Sequence, residues 1–189
     1  MKSLVTKVDL VTGGNKGIGR SIVRKLANSG ATVAFTYHKG TAKAKVLEAE
    51  IIESRLEAIA IKINTSDSAE IKTAIEQVIA KYGRIDILVN CAGSMIPKKT
   101  LQDVNRKDLE KTWQKSLFGA AHMISQLTPY MEDGGRIITI GNCAEQHSRF
   151  VSTGSFAAAR ETLSIYNRFW SKKLAKKKYN GQYCSVWIY

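Results

Sequence analysis

Short apolar runs alternate with amphipathic stretches along the whole chain. The runs read as strands at 7–12, 31–37, 57–63, 84–90, 135–141 and 182–189. The amphipathic stretches read as helices near 17–29, 41–55, 67–82, 106–131 and 154–178. A run such as Ile85-Asp86-Ile87-Leu88-Val89 fits a strand buried on both faces rather than one with a wet side. This βαβα order calls for an α/β fold, a doubly wound parallel sheet of about six strands with helices on both faces. One residue breaks the pattern. Asp9 lies inside the first strand, where a central parallel strand should be apolar. A buried carboxylate needs partners or a raised pKa, so either the strand is locally distorted there or it starts later.

The stretch between the first strand and the first helix is Thr12-Gly13-Gly14-Asn15-Lys16-Gly17-Ile18-Gly19. Gly13 and Gly17 permit a tight turn and close backbone approach, because a Cβ there would block a phosphate. Gly19 lets the new helix pack close to the strand, and the free N–H groups at the helix start face an anion. Strand, glycine turn and helix in that order point to a dinucleotide site. The second strand ends Thr36-Tyr37-His38-Lys39, where the adenosine ribose is met in such folds. No Asp or Glu stands between Thr36 and Gly40. Lys16, His38 and Lys39 instead supply positive charge, which favours NADP(H) over NAD(H).

Composition changes this picture little. The chain has 189 residues, 44% hydrophobic and 24% charged, which suits a single domain over 1–189 with a sizeable core. No apolar run is long enough to span a membrane. The first residues lack the apolar stretch of a signal peptide. Cys91, Cys143 and Cys184 are widely spaced and form no metal-ligand or disulfide pattern, so a cytoplasmic setting fits and no metal is expected. The net charge of +13 is concentrated near the end, with seven Lys or Arg and one Glu from Arg160 to Lys178. That helix reads as a solvated basic face or as a docking surface for an acidic protein. No nucleic-acid motif accompanies the charge.

Three motifs in order give the chain a family resemblance. The glycine turn matches the TGxxxGIG of short-chain dehydrogenases/reductases. Asn90-Cys91-Ala92-Gly93 matches their NNAG with one substitution, and Gly135 to Gly141 resembles their fifth strand, above all in 3-oxoacyl-carrier-protein reductases. The resemblance runs from about residue 5 to the end. It implies a Rossmann-type sheet, binding of a nicotinamide dinucleotide, and a homo- or hetero-oligomer built on the two long helices. Asn64 stands where many members have an Asp that contacts adenine; its amide could serve instead.

The departures concern the chemistry. Family members use an Asn-Ser-Tyr-Lys set, in which Tyr exchanges the substrate proton, Lys lowers the Tyr pKa and binds the nicotinamide ribose, Ser orients the carbonyl, and Asn holds a relay water. Phe156-Ala157-Ala158-Ala159-Arg160 falls on the Tyr-x-x-x-Lys segment, a register supported by Leu163. Phe156 has no ionisable proton and so no general acid–base role. Arg160 keeps the charge in a different geometry. Asn142 stands in the Ser position, with Cys143 the alternative register, and Ser116 replaces the Asn. Tyr166 and Lys173 have the wider spacing of enoyl reductases but fall well down the last helix. Gly181 to Tyr189 resembles the sixth strand, beyond which relatives continue with a substrate cover and a seventh strand. The fold is therefore expected to be C-terminally truncated, with an open edge unless something covers it. Trp187 and Tyr189 either bury in such a contact or pack under the long helix. Three functions stand against one another: a non-catalytic NADP(H)-binding member or partner subunit, an active carbonyl or 3-oxoacyl reductase using non-standard residues, and a remnant without function.

Overall fold

The computed structural model describes residues 3–94, 104–141, 154–174 and 180–184. A six-stranded parallel sheet runs in the order β3-β2-β1-β4-β5-β6. Its strands are β1 Val8–Val11, β2 Thr32–Tyr37, β3 Ala58–Lys62, β4 Ile87–Asn90, β5 Arg136–Ile140 and β6 Asn180–Cys184. Between them run α1 Gly17–Asn28, α2 Thr41–Glu53, α3 Ser68–Tyr82, α4 Arg106–Trp113, α5 Gly119–Leu127 and α6 Gly154–Leu174. This is the expected doubly wound α/β fold.

Both faces of the sheet are apolar because both are covered. Leu10, Leu88 and Ile137 pack with Ile71, Ile75 and Val78 of α3 and with Met123, Ile124 and Leu127 of α5. On the other face, Val11, Val33, Phe35 and Val89 meet Val23 and Ala27 of α1 and Leu47 and Ile51 of α2. A smaller cluster of Leu117, Ala120, Ala159 and Leu163 joins α5 to α6. It sets which residues of α6 face inward.

Asp9 is a regular member of β1, paired to Val33 on one side and Ile87 on the other. The strand is neither distorted nor shifted there. Asp9 is fully buried, and neither carboxylate oxygen has a hydrogen-bond partner. Burial first, then the nearby Asp86 carboxylate, pushes its pKa up to about 7, against the opposing pull of Lys7. It is therefore about half protonated near neutrality.

Two expected boundaries differ. The fourth strand starts at Ile87, not at 84, because the preceding residues tie strand entrances together. Asp86 accepts from the Val8 N–H at 3.0 Å, from Lys7 Nζ at 2.9 Å and from Arg84 Nη2 at 2.6 Å. The expected single helix over 106–131 is broken. α4 passes through a π turn, Gln114–Phe118, into α5, and ends in a 3-10 turn, Thr128–Tyr130. Pro129 ends α5 because its ring lacks the N–H that another helical turn requires. The π turn falls where Ser116 and Gly119 contact neighbouring loops, a placement typical of functional sites. The sixth strand is found at 180–184, earlier than the expected 182–189; residues 185–189, with Trp187 and Tyr189, lie outside the described residues.

Candidate functional site

The chain winds outward in opposite senses from β1 and β4, so the connections leaving their carboxyl ends diverge and frame a crevice. Thr12 joins the two sides. Its buried Oγ1 accepts from the N–H groups of Cys91 at 3.0 Å and Ala92 at 2.9 Å. Its own N–H donates to the Val89 carbonyl at 2.9 Å. Gly13 is needed in that staple, since its φ is +70° and a Cβ would lie 3.0 Å from the Ala92 Cα.

The glycines that follow divide the work differently from the sequence expectation. Gly14, not Gly19, lets α1 approach the sheet. A Cβ on Gly14 would fall 2.5 Å from Phe35 Cβ and 2.8 Å from Val23 Cγ2. A Cβ on Gly19 would instead collide with the Gly13 carbonyl, inside the turn itself. Gly17 has φ +51°, and a Cβ there would meet nothing within 4 Å, so its side of the turn is open. Lys16 enters α1 extended and gives the helix amides no side-chain cap, and the first turn carries no acid. By contrast, Asp67 caps α3 and Asn105 caps α4. The first amides of α1, beside exposed Lys16 and Ile18, thus suit an anion.

Asn15 is buried and ties this turn to the end of β2. Its Nδ2 donates to the Lys39 carbonyl at 2.7 Å and the Gly40 carbonyl at 3.3 Å. The tie holds exposed His38 and Lys39 beside the glycine turn, with no acid between Thr36 and Gly40. Asn64, after β3, uses its Oδ1 to accept from the Ser66 N–H at 3.2 Å, so its acceptor serves its own turn.

The carboxyl end of β4 is packed more tightly. Asn90 is buried with neither amide atom hydrogen-bonded. Ser116, fully buried in the π turn, accepts from the Ser94 N–H at 3.2 Å and donates to the Ser94 carbonyl at 3.3 Å. Gly119 is required just beyond, where a Cβ would fall 2.5 Å from the Thr65 carbonyl oxygen. α6 brings Phe156 and Arg160 to the same place. Arg160 is only 2% exposed. Its Nη2 donates to the Ala92 carbonyl, and to the Cys91 carbonyl at 3.4 Å. Its guanidinium carbon lies 5.4 Å from the centre of the Phe156 ring. A Cβ on Gly93 would collide with Arg160 Nη2 and lie 3.2 Å from Phe156 Cε2.

Three of the four tetrad positions, Ser116, Phe156 and Arg160, therefore gather around the loop after β4; Asn142, with its alternative Cys143, lies outside the described residues. Phe156 carries no proton to exchange, and a guanidinium stays charged at working pH and donates without losing its proton. Burial pushes the Cys91 thiol up, against the opposing charge of Arg160, so it is not a thiolate at neutral pH. Tyr166 points to the outer side of α6, where it is exposed and stacks on Trp170 at 5.2 Å. Arg160, expected to start a basic surface, is buried in the site. The outer side of α6 is aromatic as well as basic, with Ile165, Tyr166 and Phe169 exposed beside Arg168 and Lys172. Sequence reasoning missed the Asn15 tie and the π turn; Gly119, a glycine inside a helical pattern, was the available signal for the second. Among the described residues, no group of His, Cys, Asp or Glu could hold a metal ion, and no helix is long and apolar enough to cross a membrane.

The sequence profile of the short chain dehydrogenase family matches residues 7–180. A curated relative, the short-chain dehydrogenase/reductase FrzI of Cladobotryum sp, is 30% identical over 175 residues, covering 93% of this chain and 67% of its own. The 3-oxoacyl-[acyl-carrier-protein] reductase FabG of Staphylococcus aureus is 34% identical over 140 residues, covering 73% of this chain and 56% of its own. The chain thus spans only about half to two thirds of these relatives. Among solved structures, a blue fluorescent protein from a metagenomic library, crystallised with NADPH, superposes with a TM-score of 0.90 at 34% identity, over 95% of this chain and 73% of that one.

Proposed function

From the premise that this chain belongs to the short-chain dehydrogenase family, we propose that it binds NADP(H) and does not perform the family's conventional proton-transfer catalysis. The binding half of the proposal fits the open side of Gly17, the uncapped amides of α1 and the exposed His38 and Lys39 held by Asn15. Thr12, Gly13, Gly14, Gly19, Asn64, Asn90, Ala92 and Gly93 shape the cradle around them. A relative crystallised with NADPH supports the phosphorylated form. A nicotinamide cofactor, when bound, supplies hydride; a matching proton must come from the protein or from water. The observation that carries the second half is the position of Phe156 and Arg160. They face the loop after β4 together, and neither can hand over a proton.

The competing reading is an active carbonyl or 3-oxoacyl reductase in which Arg160 polarises the carbonyl. Against it stands the engagement of Arg160 Nη2 by two backbone carbonyls. Mixing the purified protein with NADPH and a panel of 3-oxoacyl thioesters, aldehydes and quinones separates the two. We expect binding without NADPH oxidation above background. Turnover that disappears in Arg160→Ala would establish the competing reading.

We also propose that the exposed apolar side chains of α6, with Phe118 of the π turn, form a contact in an oligomer. They offer an apolar surface that an acidic partner would not need. A cytoplasmic location remains part of the proposal, as does a single domain over 1–189.

A further inference from the structure

The sheet ends at β3, which pairs with β2 on one side only. The Val33 N–H donates to the Glu57 carbonyl at 3.0 Å, and the Ile63 N–H donates to the Tyr37 carbonyl at 2.8 Å. These bonds fix the parity of the strand. Ile59 and Ile61 turn their backbone groups towards β2, and Ala58, Ala60 and Lys62 turn theirs outward. A bare outer edge of this kind is a template for another strand. The run Ala58-Ile59-Ala60-Ile61 adds to the hazard, because it is apolar, uncharged and free of Gly and Pro. The middle donor of the edge is nevertheless covered. α2 packs on this end of the sheet, with Leu47 and Ile51 in one cluster with Ala58. From the same helix, half-buried Glu48 reaches the edge, and its Oε1 accepts from the Ala60 N–H at 2.7 Å. Its Oε2 pairs with Lys45 Nζ at 2.6 Å, so the carboxylate is held through both oxygens.

We propose that Glu48 closes the β3 edge to strand addition by a second copy of this chain. A second copy is the occupant that fits, because the edge is complementary to itself. When two β3 strands lie antiparallel across a two-fold axis, outward groups meet outward groups, with Ala60 opposite Ala60 and Ala58 opposite Lys62. The central pair would exchange two hydrogen bonds, one from each Ala60 N–H. Glu48 takes that donor in each copy, so both central bonds are lost. It also brings two carboxylates towards the same axis, where like charges repel. β3 lies at the opposite edge of the sheet from β5 and β6, on which α6 packs, so this edge is separate from the α6 contact. It is equally independent of the nucleotide reading.

Analytical ultracentrifugation of the unmodified chain, Glu48→Ala and Glu48→Gln over a range of concentrations tests it. Glu48→Ala should shift to a heavier species as concentration rises, beyond any association of the unmodified chain. Glutamine keeps an oxygen that accepts from the Ala60 N–H, so Glu48→Gln should follow the unmodified chain. Hydrogen exchange at low concentration reads the contact itself. The Ala60 amide should exchange about tenfold faster in Glu48→Ala and at nearly the unmodified rate in Glu48→Gln. Adding Lys62→Pro to Glu48→Ala distinguishes edge pairing from unfolding. Proline at this outward position removes a donor that a second strand needs and none that β2 uses. The double variant should therefore return to the mass of the unmodified chain. Equal masses for the unmodified chain and Glu48→Ala at every concentration overturn the proposal, as does association of Glu48→Gln to the extent of Glu48→Ala. A heavier species that survives Lys62→Pro also overturns it, because the association then runs through another surface.

Discussion

Replacing Asp9 by Asn should stabilise the protein above neutral pH and do almost nothing at pH 4. The carboxylate is fully buried, paired through its backbone on both sides, and has no hydrogen-bond partner for either oxygen. Its pKa in the folded chain is raised from 3.8 to about 7, chiefly by burial and then by Asp86. In the unfolded chain it ionises at the ordinary value. Below the unfolded value both states are protonated, and no penalty arises. As pH rises from about 4 towards 7, the unfolded state releases its proton while the folded state keeps it, so stability is lost across that window and then levels off. The separation of about three pH units corresponds to about 4 kcal/mol, a large share of a typical domain's total stability. Asp86 runs the other way. Burial alone would raise its pKa, but hydrogen bonds from Arg84, the Val8 N–H and Lys7 outweigh that and hold it below the usual range. Its contribution is present at neutral pH and falls away in acid, so a single wild-type curve mixes the two. The difference between wild type and Asp9→Asn isolates Asp9, because an amide keeps the polarity and shape without the charge. Urea unfolding followed by circular dichroism from pH 4 to 8 measures that difference. It should grow from near zero to a few kcal/mol, about 4 at most. A difference independent of pH would refute the assignment of the penalty to ionisation.

Two further outcomes follow from the site and the surface. Gly17→Ala meets no neighbouring atom within 4 Å but sits at φ +51°; it should cost about 1 kcal/mol in urea unfolding and abolish NADPH binding measured by calorimetry, because the methyl occupies the anion's space. Phe169→Glu removes the most exposed aromatic of α6, at 69%; light scattering should show a smaller mass than for the wild type, with the melting temperature changed little.

The order of elements was legible because each run in the sequence repeats with the period of its own structure. Residues 8–11, 32–37 and 136–140 are strands where mainly apolar runs stood, each interrupted by a polar residue such as Asp9, Thr36 or Thr139. Boundaries set by side-chain chemistry were less visible. Nothing in the pattern before Ile87 says that Asp86 will bond the Val8 N–H across the sheet, 78 residues away. Likewise, the helix period through 106–131 hides a π turn that depends on Ser94 and Thr65 lying against it. In the site, the glycine spacing located the turn, but the division of labour between Gly14 and Gly19 depends on which atom each hydrogen faces. The expectation that Phe156 and Arg160 stand on the family's Tyr-x-x-x-Lys segment could be read from the resemblance. What Arg160 does could not, because the acceptors it uses are backbone carbonyls that every residue has.

In the register that the resemblance implies, Phe156 and Arg160 depart from the family pattern together, and the structure gives a reason to treat them as one unit. The ring lies beneath the guanidinium at 5.4 Å, while the guanidinium reaches over Gly93 to the carbonyls of Ala92 and Cys91. The aromatic face offers the buried cation a favourable surface, worth about 0.5–2 kcal/mol. Its Nη2 donates to the two carbonyls, and a charged hydrogen bond contributes about 1.5–3 kcal/mol. Each depends on the other, since losing the ring lets the guanidinium move and losing the guanidinium leaves the ring against a void. Phe156→Leu and Arg160→Lys should therefore each destabilise the fold. The double variant should cost less than their sum by about 1 kcal/mol, within the range expected for side chains in direct contact. Equilibrium unfolding of the four proteins in one buffer gives the coupling. Strict additivity would mean that the ring only fills space, and that returning a tyrosine at 156 and a lysine at 160 could be considered as two separate repairs. A measurable coupling means that the ring and the guanidinium hold one another in place over Gly93, so neither position can be changed without disturbing the other.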